Sequence, residues 1–263
     1  MLFIVAGTFA VVYGILYVAN LIHPVLRFCL ETFFIYQIFA TKSLKTESMK
    51  VYKKLKEGDL IGARKEVSYL VGRDTENLDE SEVAKADVET IAENTADGVI
   101  APMLFIAIGG APLGFAYKAV NTLDSMVAYK NEELINIGFF SAKMDDICNF
   151  IPARFAAVML MIASLILRFD FKGAVKIFKR DRFAHLSPNS AQTEAVAAGA
   201  LQIQLGGTHN YFGKAVVKPT IGDDIRPVEY EDIKRTNQLL YVSAVLSMAV
   251  CCLITFLIYV QLF

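Results

Sequence analysis

The sequence predicts an all-α, polytopic helical integral membrane protein with cytoplasmic helical insertions and about four to five membrane-embedded segments, one broken or re-entrant. The 263 residues are 55 % apolar with a mean hydropathy of +0.44, above the roughly 45 to 50 % apolar share of soluble proteins. Charged residues lie in blocks that avoid the long apolar runs. One apolar run carries Gly109, Gly110 and Pro112 at its middle and polar clusters at both ends, which a plain span does not need.

The first forty residues are interpreted as N-terminal spans (1–40). Leu2 to Ile22 is uncharged over about 20 residues, enough to cross a hydrocarbon core of roughly 30 Å. A signal peptide would need a basic n-region and a small-residue cleavage site, and neither is convincing. Pro24 to Ala40 is shorter and holds Arg27 and Glu31 on one helical face. It is either a tilted second span or a helix lying against the bundle.

The next segment has the composition of a soluble helical module. Its many lysines place it in the cytoplasm by the positive-inside rule, so the chain is expected to be a multi-pass protein of the cytoplasmic membrane. Gly58 and Gly72 end helices, and Asp79 with Glu82 begins the next one as a capping box. A single membrane-embedded domain is predicted, with these parts after the first: a cytoplasmic segment (41–97), a core with the site (98–167), a soluble segment (168–238) and a closing span (239–263).

Several function classes are not indicated. The net charge of −1 and the segregated charges do not suggest a nucleic-acid partner. Four cysteines, with Cys251 and Cys252 adjacent, form neither a disulfide framework nor a zinc motif. Gly207 to Lys214 has five residues between its glycines, where a Walker loop needs four. His185 and His209 have no partner at metal-ligand spacing and are read as ordinary polar residues.

The polar ends of the interrupted apolar run are the main candidates for a site. On a helix Glu93 and Asp97 share a face, a spacing suited to Mg²⁺ with phosphate oxygens; a solvated helix end is an equally good reading of this pair alone. At the far end Lys118, Asn121 and Ser125 share a polar face. Because unpaired polar groups in hydrocarbon cost several kcal/mol, that face needs a cavity or partners.

A chain reversal between Gly109 and Pro112 would bring these two ends together. In one straight helix they would lie about 30 Å apart, whereas broken helices line many membrane-protein sites. The alternative is a simple span, which satisfies the positive-inside rule without a second non-spanning segment. Arg154, inside the next apolar block, favours the re-entrant reading.

Two further stretches carry candidate residues. Asp145 and Asp146 are adjacent and point in different directions on a helix, so they do not form a chelating pair; one could face Arg154 or a nucleotide-bound metal, or both could be charged loop residues. Ser187 and Asn189 precede an expected helix from Ala191 to Leu205 that Gly206-Gly207 would end. They are helix caps or phosphate-binding residues.

Six ordered motifs carry a family resemblance that extends from about Leu30 to about Tyr241. They are AENTADGVIAP, GGAPLGFAYKAVNTLDSMVAYKNE, DDICNFIPAR, SPNSAQTEA, GALQIQLGG and YFGKAVVKPTIGD. The combination closely resembles the adenosylcobinamide-phosphate synthase family of cobalamin biosynthesis. The resemblance implies ATP-dependent ligation of the free propionate of adenosylcobyric acid to (R)-1-aminopropan-2-ol or its O-phosphate.

This reaction assigns expected roles to the candidate residues. Activating a carboxylate with ATP requires Mg²⁺ and cationic side chains. The expected metal ligands or general bases are Glu93, Asp97 and Asp124, and Lys118, Lys130 and Arg154 are expected to neutralise phosphate charge, with Lys130 in the catalytic set. The expected substrate-orienting or nucleotide-binding residues are Asn94, Asn121, Asp145, Asp146, Ser187 and Asn189. Replacing Asp97 or Asp124 by Ala is expected to abolish conversion of adenosylcobyric acid.

Two other function classes and one departure from the family remain. Family members usually begin with a further segment bearing Asp-Pro and Pro-His-Pro motifs, and His23-Pro24 lies too close to the matched LETFFIYQIFATKSL to be that motif.

A transporter or channel could use the same broken helix, and a non-catalytic scaffold could bind corrinoid or other cobalamin-biosynthesis enzymes. The partners expected for the enzyme are the corrinoid, the amine and the lipid bilayer.

Overall fold

The computed structural model describes residues 1–127 and 135–262 and is helical apart from one small β-hairpin. Its elements in chain order are α1 (Leu2–Ile22), α2 (Pro24–Ile38), α3 (Thr41–Lys56), α4 (Leu60–Ser68), α5 (Glu80–Asn94), a π-helical turn (Thr95–Ile100), α6 (Ala101–Val127), α7 (Ile135–Ile166), α8 (Phe171–Asp181), α9 (Ser190–Leu201), β1 (Leu205–Tyr211), β2 (Lys214–Ile221) and α10 (Tyr230–Leu262). The predicted helical class is confirmed, and the hairpin is an addition that the sequence did not indicate.

Within the described residues, four helical stretches are long and apolar enough to cross a membrane. They are Leu2–Ile22, Glu80–Met126, Gly138–Ile166 and Tyr230–Ile258. The predicted polytopic membrane architecture is therefore confirmed.

The chain divides into two compact units, which we describe separately. The first unit comprises Met1–Phe39, Asp97–Pro152 and Ser247–Phe263. The second unit comprises Ala40–Ala96 and Ala153–Leu246. Both units are assembled from segments that are far apart in the sequence.

In the first unit, α1 packs against α2 and α6. Val12 and Leu16 of α1 are buried against Ala111 of α6, and the rings of Phe34 and Phe115 meet edge to face at 5.6 Å. The turn between α1 and α2 is set locally, because His23 caps α2 with Nδ1. Pro24 then occupies the first helical position, where its missing N–H costs nothing.

Helix α6 is a hairpin of two helical arms. The Phe105 and Tyr117 rings stack with centroids 4.8 Å apart, and the Tyr117 hydroxyl donates to the backbone oxygen of Asp97 at 2.9 Å. In a straight helix these pairs would be separated by roughly 18 and 30 Å. The chain therefore reverses at Gly109 and Gly110, and the predicted broken, re-entrant segment is confirmed.

The reversal depends on the backbone of Gly110, whose φ of 66° and ψ of −164° lie in a region that is essentially restricted to glycine. A Cβ there would approach Oε1 of Glu31 to 2.6 Å. The same oxygen accepts the N–H of Ala111 at 3.4 Å, at the start of the second arm. Glu31, which also pairs with Arg27 at 3.7 Å, thus supports the new helix start.

In the second unit, α9 forms the centre of the packing. All its residues are buried, and α8, α5 and β2 contact it. Close approach of α8 and α9 requires glycine, since a Cβ on Gly199 would collide with the backbone oxygen of Gly173. Small residues make α9 a core helix that other elements can approach closely, and its polar side chains are consequently buried as well.

The expected helix through Leu205 ends earlier than the sequence indicated. Helix α9 stops at Leu201, with Gln202 in the left-handed conformation, and Leu205 begins β1. Gly206 and Gly207 have positive φ and lie at a register irregularity between β1 and β2. The glycine pair is a bulge in a strand, which glycine permits.

Candidate functional site

A polar cavity of about 180 Å³ lies entirely within the second unit. Three elements build it: α5, α9 and the β-hairpin, together with the loops at Leu70–Arg73 and His185. Its charged and titratable lining residues are Arg73, Glu89, Glu93, His185, Glu194, His209, Tyr211 and Lys218. This is a dense set of charges around a small volume, so it is the strongest candidate site in the described part of the chain.

Three glutamates supply the acidic side of this cavity. Glu89 and Glu93 are one helical turn apart on α5, and Glu194 projects from α9. Ser190 donates its hydroxyl to Oε1 of Glu93 at 2.7 Å. Burial, followed by the charges of Glu93 and Glu89, holds the pKa of Glu194 well above its usual value. The Glu194 side chain therefore favours its protonated form beside two carboxylates.

Arg73 and Glu89 form an internally neutralised pair. Arg73 donates to Oε2 of Glu89 at 2.5 Å and to a ring nitrogen of His209 at 2.8 Å. The backbone N–H of Gly206 donates to the other oxygen of Glu89 at 2.7 Å. Burial and the charge of Arg73 lower the pKa of His209 to about 4, so this ring is neutral at physiological pH and accepts from the guanidinium.

Lys218 supplies the second cation of the cavity. Burial lowers the pKa of Lys218, but its hydrogen bond with Tyr211 and the nearby acidic side chains, Glu93 among them, outweigh that effect, so the net pKa is raised. Lys218 is therefore a charged ammonium at neutral pH.

His185 lines the same cavity from the loop before α9. Burial lowers the pKa of His185, against the opposing charge of Glu93. Its Nδ1 accepts the N–H of Ser187 at 3.1 Å, so the proton of the neutral ring is on Nε2. The sequence left both His185 and His209 as ordinary polar residues; the structure instead places both in the cavity wall.

The β-hairpin is positioned for this site by Asp74. The Asp74 carboxylate accepts the N–H groups of Phe212 and Gly213 at 3.0 and 2.7 Å, and its own N–H donates to Asn210 at 2.8 Å. Because Arg73 precedes Asp74, the loop that anchors the hairpin also delivers the cavity guanidinium.

Several cavity residues were missed by sequence reasoning. The residues not identified were Arg73, Glu89, Glu194 and Lys218. A signal existed only for Glu89, which lies four positions before Glu93 and shares its helical face. The others approach through long-range contacts that no local spacing encodes.

A second polar network lies in the first unit and connects α6 to α7. Tyr117 contacts Oδ1 of Asn149 at 2.8 Å, Asn149 donates to Asp145 at 2.9 Å, and Asn121 donates to Asp145 at 3.4 Å. Tyr117 and Asn149 are 2 % and 0 % exposed. Asn121, one member of the predicted polar face of the second arm, thus has a partner on α7.

Replacing Tyr117 by Phe is expected to destabilise the protein by about 1 to 3 kcal/mol, because buried polar partners lose a hydrogen-bond donor. Thermal unfolding of the detergent-solubilised protein would measure this loss. Tyr36→Phe is the matched control, since Tyr36 is 70 % exposed in the same unit. Equal melting temperatures for the two variants would contradict the importance of the network.

The predicted site residues are distributed over both units. Glu93 and Asn94 line the cavity of the second unit. In the same unit Arg154 donates to Asn189 at 3.3 Å, and the backbone N–H of Ser187 donates to Nδ1 of His185. The predicted residues in the first unit are Asp97, Lys118, Asn121, Asp124, Asp145 and Asp146. Lys130 lies outside the described residues.

Asp145 and Asp146 have separate partners, as their adjacency predicted. Asp145 belongs to the network with Asn149, whereas Asp146 pairs with Lys143 at 3.6 Å. In the described ranges no three His, Cys, Asp or Glu side chains converge as a preformed metal site. The metal set of Glu93, Asp97 and Asp124 stays a prediction.

Comparison with known families identifies the chain's relatives. The family model for CobD/CbiB proteins matches residues 1–240. The chain belongs to the CobD/CbiB family. No solved structure matches it.

Named relatives agree with this assignment. The chain is 54 % identical over 253 residues to the cobalamin biosynthesis protein CobD of Clostridium perfringens, covering 96 % of this chain and 80 % of the relative. It is 47 % identical over 246 residues to the cobalamin biosynthesis protein CbiB of Salmonella choleraesuis, covering 94 % and 77 %. Membership of this CobD/CbiB family supports a role in cobalamin biosynthesis.

The raised pKa of Glu194 predicts a specific pH dependence of stability. Above the ordinary glutamate value of 4.5, the unfolded chain loses a proton that the folded CobD/CbiB protein retains. The protonated Glu194 side chain contributes its full stability to the folded state below pH 4.5. This contribution is lost as the pH rises towards the pKa of Glu194 in the folded protein. Glu194→Gln, which cannot ionise, should therefore gain stability over wild type progressively as the pH rises above about 4.5.

Thermal unfolding of both proteins across that pH range would test the prediction for Glu194. Glu76→Gln, an exposed loop substitution, controls for the loss of one negative charge and should parallel wild type. Parallel curves for Glu194→Gln and wild type would contradict the assignment.

Proposed function

We propose that this CobD/CbiB protein catalyses ATP-dependent amide ligation in the cytoplasmic membrane. The acid is adenosylcobyric acid, and the amine is (R)-1-aminopropan-2-ol or its O-phosphate. The products are adenosylcobinamide or its phosphate, ADP and phosphate. The observation that carries the proposal is the charged cavity of the second unit, in a chain whose relatives are named for cobalamin biosynthesis.

The chemistry requires two displacement steps. First, a carboxylate oxygen of the corrinoid attacks the γ-phosphorus of ATP, which forms an acyl phosphate and releases ADP. Next, the amine nitrogen attacks the acyl carbon, the bond from that carbon to the phosphate oxygen breaks, and phosphate leaves with the electron pair. The proton lost by the amine needs an acceptor within hydrogen-bond reach.

The cavity residues are suited to the second of these steps. Glu93 is a carboxylate held by Ser190 and can accept a proton, while Lys218 is a cation that attracts phosphate. The paired Arg73 and Glu89 keep the wall rigid by joining α5 to the β-hairpin. Such fixed charges stabilise a transition state without having to reorganise.

Mg²⁺ and ATP are expected at the predicted residues of the first unit. Mg²⁺ binds through one or two carboxylates together with substrate phosphates, so a preformed cage of three protein ligands is not required. Asp97 and Asp124 provide carboxylate oxygens of the right chemistry, and Lys118 provides a cation on the same hairpin. When bound, Mg²⁺ would neutralise charge on the transferred phosphoryl group.

One reconstitution tests the proposed reaction. Purified protein in lipid nanodiscs would be incubated with ATP, Mg²⁺, adenosylcobyric acid and either amine, and the corrinoid product would be identified by mass spectrometry. We expect the amide product with stoichiometric release of ADP and phosphate. Corrinoid binding without ATP consumption would instead indicate a scaffold, and substrate flux without ATP turnover would indicate a transporter.

A further inference from the structure

The cavity of the second unit is matched in size to only one of the proposed substrates. Its volume is about 180 Å³, below the roughly 300 to 1,000 Å³ of sites that hold drug-sized ligands. A nucleoside triphosphate is at least drug-sized, and a corrinoid is far larger. An amino alcohol or its phosphate has few enough non-hydrogen atoms to fit, so the cavity selects the smallest reactant.

The charges of the cavity also indicate a particular ligand class. Arg73 and Glu89 neutralise each other through their direct ion pair. The two opposite charges that remain are Glu93 on α5 and Lys218 on β2. The charge of Glu93 helps to raise the pKa of Lys218, yet no direct ion pair joins the two side chains within residues 1–127 and 135–262. A ligand with an ammonium at one end and an anion at the other complements this arrangement.

We infer that the cavity is the subsite for the amine co-substrate, bound as a zwitterionic amino-alcohol phosphate with its ammonium at Glu93 and its phosphate at Lys218. This inference rests on the proposed ligation for the choice of amine. It commits to the phosphorylated alcohol, because the free alcohol has no anionic group to form an ion pair with the Lys218 ammonium.

Glu93 then acts as the proton acceptor of the second step. The ammonium must lose a proton before its nitrogen can attack the acyl phosphate, and the nearest carboxylate in this arrangement is Glu93. The hydrogen bond from Ser190 at 2.7 Å orients that carboxylate. Of the two roles that the sequence left open for Glu93, metal ligand or general base, the cavity therefore supports the base.

Binding measurements without ATP or corrinoid test the subsite directly. Isothermal titration of the purified full chain would use three probes: 1-aminopropan-2-ol O-phosphate, the free amino alcohol, and propan-2-yl phosphate. Since a hydrogen bond to a charged group contributes roughly 1.5 to 3 kcal/mol, each missing end should weaken binding by about 10- to 100-fold. Wild type should bind the zwitterion most tightly.

Two substitutions should weaken binding of different probes. Lys218→Met should lower the affinity for the zwitterion by about 10-fold or more and leave the affinity for the free amino alcohol unchanged. Glu93→Gln should weaken both amine-containing probes and leave propan-2-yl phosphate unchanged. The matched controls are Lys214→Met, at an exposed position on the same strand, and Glu76→Gln, neither of which should alter any of the three affinities. If Glu93→Gln does not fold, Glu93→Asp replaces it, because it retains the negative charge. Glu93→Asp should bind the zwitterion more weakly than wild type binds the zwitterion, but more tightly than wild type binds the free amino alcohol.

The possible outcomes separate this inference from the proposed function. Failure of wild type to bind the zwitterion, or equal effects of Lys218→Met on all three probes, would overturn the subsite. Product formation with a raised KM for ATP or the corrinoid, but not for the amine, in Lys218→Met would also overturn it while leaving the ligation intact. The expected binding pattern without any amide product would support the subsite and overturn the proposed reaction.

Discussion

Gly110→Ala is expected to destabilise the protein by about 2 to 4 kcal/mol, which combines the strain of a backbone conformation reserved for glycine with the loss of a hydrogen bond. The added Cβ would lie 2.6 Å from Oε1 of Glu31, so Glu31 would have to leave the N–H of Ala111. Because the second arm starts at Ala111, the strain acts on the reversal itself. Melting temperature in detergent should fall by on the order of 5 to 15 °C.

Gly14→Ala on α1 is the matched control for Gly110→Ala. Gly14 is helical, and a Cβ there would meet nothing within 4 Å. Alanine favours helix over glycine by up to about 1 kcal/mol, so this variant should be as stable as wild type or slightly more stable. A Gly110→Ala protein that melts with wild type would show that the chain can reverse without this conformation.

Glu93→Ala is expected to lower the rate of amide formation by about 10²- to 10⁴-fold, the usual contribution of a positioned proton acceptor. The loss should persist at saturating Mg²⁺, because the residue acts on the amine. Product formation in nanodiscs at varied Mg²⁺ and amine concentrations would measure it. Glu76→Ala, in an exposed loop, should retain the wild-type rate.

Asp97→Ala gives the contrasting result that separates base from metal ligand. Because Asp97 is proposed to hold Mg²⁺ together with phosphate oxygens, Asp97→Ala should abolish product formation at the Mg²⁺ concentration that saturates wild type and regain rate only at higher Mg²⁺, which Glu93→Ala should not do. An equally raised Mg²⁺ requirement in both variants would instead support Glu93 as a metal ligand. Retention of full activity by Asp97→Ala would remove Asp97 from the site.

The reversal in α6 was predictable because its causes are local. Gly109, Gly110 and Pro112 interrupt an apolar run, and polar residues at both ends need to avoid lipid. The sequence alone did not reveal that Glu31 supports the reversal, because Glu31 lies 80 positions from Ala111. Arg27 and Glu31 were recognised as a pair on one helical face, and their support of the second arm became visible only in the structure.

The β-hairpin was not predicted because its stabilising contacts are remote. Gly206-Gly207 is a common helix-ending pair, so it was read as a stop for the preceding helix. In the structure Gln202 ends that helix, and the glycines form a bulge in β1. Asp74, which holds the turn at Phe212 and Gly213, is separated from it by more than half the chain.

By itself, the sequence determined the helical membrane class, the re-entrant break and the family resemblance, since apolar run length, glycine placement and ordered motifs are all local properties. It also singled out Glu93 and Asn94 as candidate site residues, because they end a well-capped helix beside the membrane segment. Only the tertiary structure decided that Glu93 faces Glu194, His185 and Lys218 in one cavity. Those side chains come from α9, a loop and β2, and the physical reason is that burial of α9 draws these distant elements together.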